Sequence, residues 1–226
     1  MFKDKIIQEL DKWVSDKGDV SYLDDDVLVT PSTLENFKVC PTPAIQQNKK
    51  EIEEFVDILL KLEPTNIALE IGLGFYGSTH FIWRLIFDKV ITIEMNWDRI
   101  KEFGKNSKKY YGKWILDDDR SHFIHSKSYN PYAVESTRKI LNGSKIDLLF
   151  IDGYHDYKNV LSEFLLYKDL VRPGGIIAFH DILWRVNNNE ISKFLKDLSG
   201  GKIDGQKYNI NKIIYSKDIG IGWLKI

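Results

Sequence analysis

The chain has 226 residues, 43% hydrophobic and 29% charged, with a formal net charge of −1. That length suits one domain with a short extension, enough to bury roughly 70% of its unfolded surface. The balanced charge argues against an obligatory nucleic-acid or anionic-membrane partner, and the single cysteine, Cys40, permits no intrachain disulfide.

Residues 1–45 read as an N-terminal extension or lid. Phe2, Ile6, Ile7, Leu10, Trp13 and Val14 recur at helical spacing, with acids and bases between them. This pattern is an amphipathic helix and lacks the apolar core of a secretory signal. Residues 18–43 are irregular and hold three prolines, and Cys40 among them reads as a packing residue. Residues 46–62 are helical by pattern, with Ile52, Phe55, Val56, Leu59 and Leu60 on one face and Pro64 as the stop. No run is long enough to cross a bilayer, so the expectation is a cytoplasmic protein.

From there strand and helix alternate. Strands are expected at 67–71, 90–94, 123–126, 147–151, 176–179, 213–215 and 222–225. Helices are expected at 79–87, 97–109, 132–141, 157–170 and 189–198. Near-continuous apolar strands such as Leu148–Ile151 suit a sheet covered on both faces. The alternation predicts an α/β fold with a doubly wound, mostly parallel seven-stranded sheet. The last two strands lack a helix between them and should pair antiparallel.

Two segments carry chemistry. Residues 66–79, NIALEIGLGFYGST, run from an apolar strand through a glycine-rich turn into a helix. The next strand ends in Glu94. This is the layout of a nucleoside-binding unit. Glycines let the backbone approach a ligand, the helix N-terminus faces an anionic group, and the acid accepts from a ribose diol. Gly72, Gly74 and Gly77 also spell the dinucleotide fingerprint, so an NAD-binding domain would use the same geometry.

The second segment is 146–182. One strand ends at Asp152-Gly153, with His155 and Asp156 in the loop after it. A Pro173-Gly174-Gly175 turn leads to a strand ending at His180-Asp181. Neighbouring parallel strands would thus each deliver acid and imidazole at their C-terminal ends, where open α/β sheets place ligands. Asp152, His180 and Asp181 together suit a divalent-metal cluster. Carboxylates favour Mg²⁺, and imidazole is better tolerated by Mn²⁺ or Fe²⁺. His155, with an ordinary pKa near ~6.5, is the candidate proton acceptor. His80, His122 and His125 read as ordinary helix or strand residues, and Trp83, Trp97, Trp114 and Trp184 as core or pocket walls.

In this order the pieces resemble the class I S-adenosylmethionine-dependent methyltransferases. More narrowly, they resemble the branch of metal-dependent sugar and macrolide O-methyltransferases and cephalosporin hydroxylase-like proteins. Glu70, Ile71, Gly72, Gly74 and then Gly77, Ser78, Thr79 match the first motif. Ile151, Asp152, Gly153, His155, Tyr157 and Pro173, Gly174, Gly175, His180, Asp181 match the later two. The resemblance covers about residues 46–226 and implies a Rossmann-like S-adenosylmethionine-binding domain there, with an antiparallel last strand after the short N-terminal helical extension. It implies cofactor contacts from Glu70, Gly72, Gly74, Ser78, Glu94, Ser128 and Asp152. It implies a divalent metal, Mg²⁺ expected, on Asp152, His180 and Asp181, and catalysis by His155 with Asp152. The acceptor would be a hydroxyl of a small molecule such as a sugar or secondary metabolite, covered by the N-terminal segment and residues 184–189. Neither nucleic acid nor membrane is an expected partner, and a homo-oligomer is possible.

Two positions depart from the branch. Tyr76 stands where a third glycine is usual, and Lys127 replaces the acid that contacts adenine after the third strand, so adenine recognition falls to other groups. An NAD-dependent oxidoreductase and a non-catalytic adenosyl-ligand-binding protein remain as other readings.

Overall fold

Strand and helix alternate from residue 49 onward in the computed structural model, which describes residues 4, 6, 8, 49–74, 77–101, 119–183, 190–215 and 219–226. The elements are α1 (Lys49–Leu59), β1 (Ile67–Ile71), α2 (Ser78–Ile86), β2 (Lys89–Glu94), β3 (Ser121–His125), α3 (Pro131–Leu141) and β4 (Ile146–Ile151). They continue with α4 (Tyr157–Tyr167), β5 (Val171–Phe179), α5 (Glu190–Ser199), β6 (Asn211–Ile213) and β7 (Ile221–Lys225). The strands form one seven-stranded sheet in the order β3-β2-β1-β4-β5-β7-β6. From β3 to β5 all pairs are parallel, and β7 runs antiparallel to both its neighbours.

Every residue of β1 and β4 is buried. Their apolar runs follow from helices on both faces of the sheet. On one side Phe55, Val56, Trp83 and Phe87 from α1, α2 and the turn after α2 pack on Ala68, Leu148, Phe150 and Ala178. On the other, Phe164 from α4 and Phe194 from α5 pack on Leu149, Ile151 and Phe179. The helices start at local signals. Asn130 accepts from the Tyr132 amide ahead of α3, and Asp156 accepts from the Asn159 amide ahead of α4.

Three of the boundaries that differ from the sequence expectation have a clear structural cause. The Pro173-Gly174-Gly175 segment lies inside β5. Pairing with β4 steps from Ile146↔Val171 to Leu148↔Ile176, so five residues of β5 advance against two of β4. Gly174, at φ 79, absorbs this bulge, and a Cβ at Gly175 would sit 2.7 Å from Val171 and 3.0 Å from the Asp147 carbonyl oxygen. Strand β3 starts at Ser121, two residues early, because Val90 continues pairing down to it. Strand β6 ends at Ile213 because Glu51 on α1 takes the Tyr215 amide at 2.8 Å.

Of the expected N-terminal extension, only Asp4, Ile6 and Gln8 are described. They are helical, and Ile6 is buried in the cluster with α1 and α2. Cys40, Tyr76, Trp114, Trp184 and residues 184–189 lie outside the described residues, as does the expected helix beyond residue 101. Among the described residues no helix is long and apolar enough to cross a membrane.

Candidate functional site

Three parallel strands each extend their hydrogen bonding one residue past their C-terminal ends. The Gly72 amide donates to the Ile93 carbonyl at 3.0 Å, the Asp152 amide to Ile71 at 2.9 Å, and the His180 amide to Ile151 at 3.0 Å. Gly72, Asp152 and His180 therefore stand side by side along the same sheet edge. Gly72 has φ 95, and a Cβ there would lie 2.1 Å from the Asp152 carbonyl oxygen. This glycine is demanded by the protein's own backbone, whatever ligand approaches it. Gly74 (φ 65) and Gly77 (φ 64) carry the turn into α2, which Ser78 opens.

Above this edge lies a cleft of about 200 Å³ whose walls include Gly72, Glu94, Ser128, Asp152, Tyr154 and Glu163. Glu94 is 3% exposed. Its Oε2 accepts from the Leu73 amide at 3.0 Å and its Oε1 from the Asn96 amide at 2.7 Å. Arg99 stands 3.7 Å away. Glu94 thus ties the glycine turn to the loop after β2 while presenting its carboxylate to the cleft. Lys127 also lines the cleft and lies over the Tyr129 ring, 5.8 Å from its centre.

Glu70 is not in that wall. It is fully buried beneath the glycine turn, accepting from the Thr92 hydroxyl at 2.8 Å and the Trp83 indole at 3.2 Å. Burial pushes its carboxyl up to about 8, against the lowering effect of the Thr79 and Thr92 hydroxyls. His80, next to it, is held between the Thr92 hydroxyl at 2.7 Å and the Ser121 hydroxyl at 3.0 Å, a packed structural histidine as expected. Trp83 is core, as expected for part of that set.

At the β4 and β5 ends, two acids and two imidazoles converge. His180 Nδ1 lies 3.1 Å from Asp152 Oδ1 and 3.3 Å from Asp181 Oδ1. His155 Nε2 lies 3.1 Å from Asp181 Oδ2 and 3.6 Å from Asp152 Oδ1. Asp181 reaches them from a left-handed backbone, φ 54, a conformation aspartate tolerates better than most residues. Ligand atoms of Asp152, His155 and Asp181 all fall within 4.8 Å of one another. Two carboxylate oxygens at that spacing, with the His155 imidazole beside them, suit a divalent cation held by the carboxylates. His180 is 2% exposed and turns Nδ1 toward both carboxylates, and its buried Nε2 has no hydrogen-bond partner among the described residues.

The electrostatics follow from these distances. Burial works against every charge here. For His180 the carboxylates of Asp152 and Asp181 outweigh it and raise its pKa well above the ordinary value. Burial likewise lowers His155, but Asp181 and then Asp152 raise it on balance. Burial would raise Asp152, yet the two imidazoles bring it down to about 2. His155 at its ordinary pKa would be mostly neutral; Asp181 beside it shifts it toward the imidazolium instead.

Glu163 is a cleft residue that sequence reasoning misses. Fully buried on α4, it accepts from the Ser128 hydroxyl at 2.6 Å. Burial pushes its carboxyl up to about 7. Its only sequence signal is an acid on the apolar stripe of Val160, Phe164 and Tyr167.

Comparison with known proteins places this geometry. Residues 69–182, just over half of the chain, match the methyltransferase domain family. An uncharacterized protein of Acanthamoeba polyphaga mimivirus is 31% identical over 110 residues, 47% of this chain and 49% of the viral protein. The chain thus spans about half the length of that relative. Among solved structures, the O-methyltransferase from Bacillus cereus in complex with SAH superposes with a TM-score of 0.57 at 19% identity, covering 89% of this chain and 94% of that one. An rRNA methylase from Streptococcus thermophilus gives 0.57 at 11% identity, covering 80% and 98%. The two share the fold; the name of one states O-methylation and the name of the other states rRNA.

Proposed function

The chain belongs to the methyltransferase domain family, and from that premise we propose that it is an S-adenosylmethionine-dependent O-methyltransferase acting on a small-molecule hydroxyl with divalent-metal assistance. The observation that carries this reading is the meeting of Asp152, His155 and Asp181 beside the cleft that Gly72, Glu94 and Ser128 line. The Bacillus cereus relative, in complex with SAH, supports the cofactor. The balanced charge of the chain supports a small acceptor over a nucleic acid.

S-adenosylmethionine supplies an electrophilic methyl group. Glu94 would accept from the ribose hydroxyls with lone pairs its two amide donors leave open. Asp152 lines the cleft and belongs to the acid–imidazole cluster, so it marks where the methyl and the acceptor meet. Alignment of the acceptor oxygen there is worth several kcal/mol. Asp152 and Asp181 would hold a divalent cation, Mg²⁺ expected, which when bound lowers the pKa of a coordinated hydroxyl. His180, behind both carboxylates, would hold them in place. With the carboxylates neutralised, His155 loses the partners that keep it charged and would accept the acceptor proton, an effect of about 10²–10⁴-fold.

Calorimetry with S-adenosylhomocysteine and with NAD separates the cofactors: the first should bind and the second should not. A methyl-transfer screen over hydroxyl acceptors should give activity that a chelator removes and Mg²⁺ restores. NAD binding alone would replace this reading with an oxidoreductase. S-adenosylhomocysteine binding without transfer to any acceptor would leave a non-catalytic adenosyl-ligand binder. Full activity after chelation would leave a metal-free mechanism with His155 as base.

A further inference from the structure

His155 stands in a short loop between two anchors. On one side the Asp152 amide is fixed to the Ile71 carbonyl, just past the end of β4. On the other, Tyr157 opens α4. Residues 153–156 bridge the two, and Gly153 at their start has no side chain to restrict its backbone. The placing of His155 therefore depends on what holds the first turn of α4. Asp156 does part of this by accepting from the Asn159 amide at 3.0 Å. The Tyr157 amide, first in the helix, has no acceptor inside it. Its acceptor comes from 33 residues further along the chain: Glu190 Oε2, at 2.7 Å, in the first turn of α5. The Tyr157 ring meets Phe194 of the same helix edge-on, centres 6.0 Å apart, and its hydroxyl donates to Asp197 at 3.1 Å. Of these contacts, the one from Glu190 acts on the main chain two residues from His155. On the same turn of α5, the Ser192 hydroxyl donates to the Ile182 carbonyl, next in the chain to Asp181. One helical turn is thus bonded to both loops whose side chains meet, His155 with Asp181 at 3.1 Å.

We propose that Glu190 is a positioning residue for the reaction: by holding the Tyr157 amide, it sets where the His155 imidazole stands relative to Asp181. The inference rests on the reading above, in which His155 takes the acceptor proton. Glu190 works through reach, because an acceptor oxygen at that place satisfies the amide whether or not it carries charge. The charges that act on the imidazole itself are those of Asp181, Asp152 and His180. A base must stand within hydrogen-bond reach of the proton it takes, and a displacement of about 1 Å costs up to about 10²-fold in rate. Ordinary helix capping would stabilise α4 and leave the imidazole where it is. A positioning contact, once lost, lets the imidazole move.

The test separates reach from charge on the full chain. Glu190→Gln keeps the length and an acceptor oxygen; Glu190→Asp keeps the charge and is one methylene shorter. Long-range proton–nitrogen correlation spectra at fixed pH, with no ligand added, report the His155 ring nitrogens, identified by the signals that His155→Gln removes. Glu190→Asp should displace the His155 Nε2 signal and leave those of His80, held by Thr92 and Ser121, in place. With S-adenosylmethionine and a hydroxyl acceptor from the methyl-transfer screen, Glu190→Asp should lower kcat about 10- to 100-fold and change KM for S-adenosylmethionine about twofold or less. Glu190→Gln should match wild type in both measurements. An unmoved His155 signal in Glu190→Asp overturns the inference, and so does an unchanged kcat. A Glu190→Gln protein as impaired as Glu190→Asp overturns it too. Failure of wild type to methylate any acceptor is a different result: it removes the methyltransferase reading, and this role with it, whatever the ring signals show.

Discussion

Strand β4 carries a buried or half-buried aspartate at each end, and their surroundings are opposite. Near the N-terminal end, Asp147 Oδ2 accepts from the Asn66 amide at 2.9 Å and the Ile67 amide at 2.8 Å, and Oδ1 accepts from Arg172. Every acceptor has a donor. This edge locks β1 and β5 to β4 and is complete without a ligand. Past the C-terminal end, Asp152 shares its charge with His155 and His180, and both His180 Nε2 and Glu163 Oε2 are buried without hydrogen-bond partners among the described residues. Acids on one strand can thus serve opposite purposes. What separates them is whether the surrounding groups satisfy one another or leave atoms for something else to satisfy.

The sharpest way to break this comparison is a pair of substitutions. His155→Ala should lower turnover by about 10²–10⁴-fold with the unfolding midpoint little changed; a large loss of stability with normal turnover would sink the distinction. Asp147→Ala should do the reverse. It removes the carboxylate beside Arg172, which keeps only its carbonyl contacts to Pro173 and Pro64, and leaves two amides without their acceptor, so denaturant unfolding should show a loss of about 3 kcal/mol, with turnover per folded molecule intact.

Glu70 sharpens the contrast from a third position. It is satisfied like Asp147 but by neutral donors, and burial holds its carboxyl up at about 8. A folded-state pKa above the unfolded one means the native state holds the proton more tightly. Its contribution is full below about pH 4.5 and is lost as pH rises toward about 8, a change of a few kcal/mol. Thermal unfolding across that range should show the decline, and Glu70→Gln should flatten it. An unchanged slope in the variant would move the effect to another group. The smallest effect concerns Glu94. Glu94→Gln keeps one amide contact but weakens the ribose contact, so S-adenosylhomocysteine affinity should fall by about 1.5–3 kcal/mol with no change in the acid–imidazole cluster. Wild-type affinity in calorimetry would free Glu94 from any role beyond bracing the glycine turn.

Much of the fold was legible because it is periodic. Strands buried on both faces must be apolar throughout, and the helices between them show their core faces at 3.6-residue spacing. The glycine turn was legible because positive φ at Gly72, Gly74 and Gly77 has no other inexpensive occupant. The acids ending β2, β4 and β5 were legible because a polar residue after an apolar run marks the strand's end. What chain order cannot encode is which strands lie together and where a side chain turns. The order β1-β4-β5 brings Asp152 and Asp181 to one place, and the left-handed backbone of Asp181 aims its carboxylate at His155 as well as His180. Glu70 reads as part of the cofactor motif, yet its side chain goes to the α1–α2 side of the sheet because strand residues alternate faces. Glu163 looks like an interruption of an apolar helix until packing sets it against Ser128 and the cleft. Composition and period specified the elements because they are local properties. The site was decided by tertiary structure because its protonation, its unpartnered atoms and its shape arise only where residues distant in the chain share one low-dielectric space.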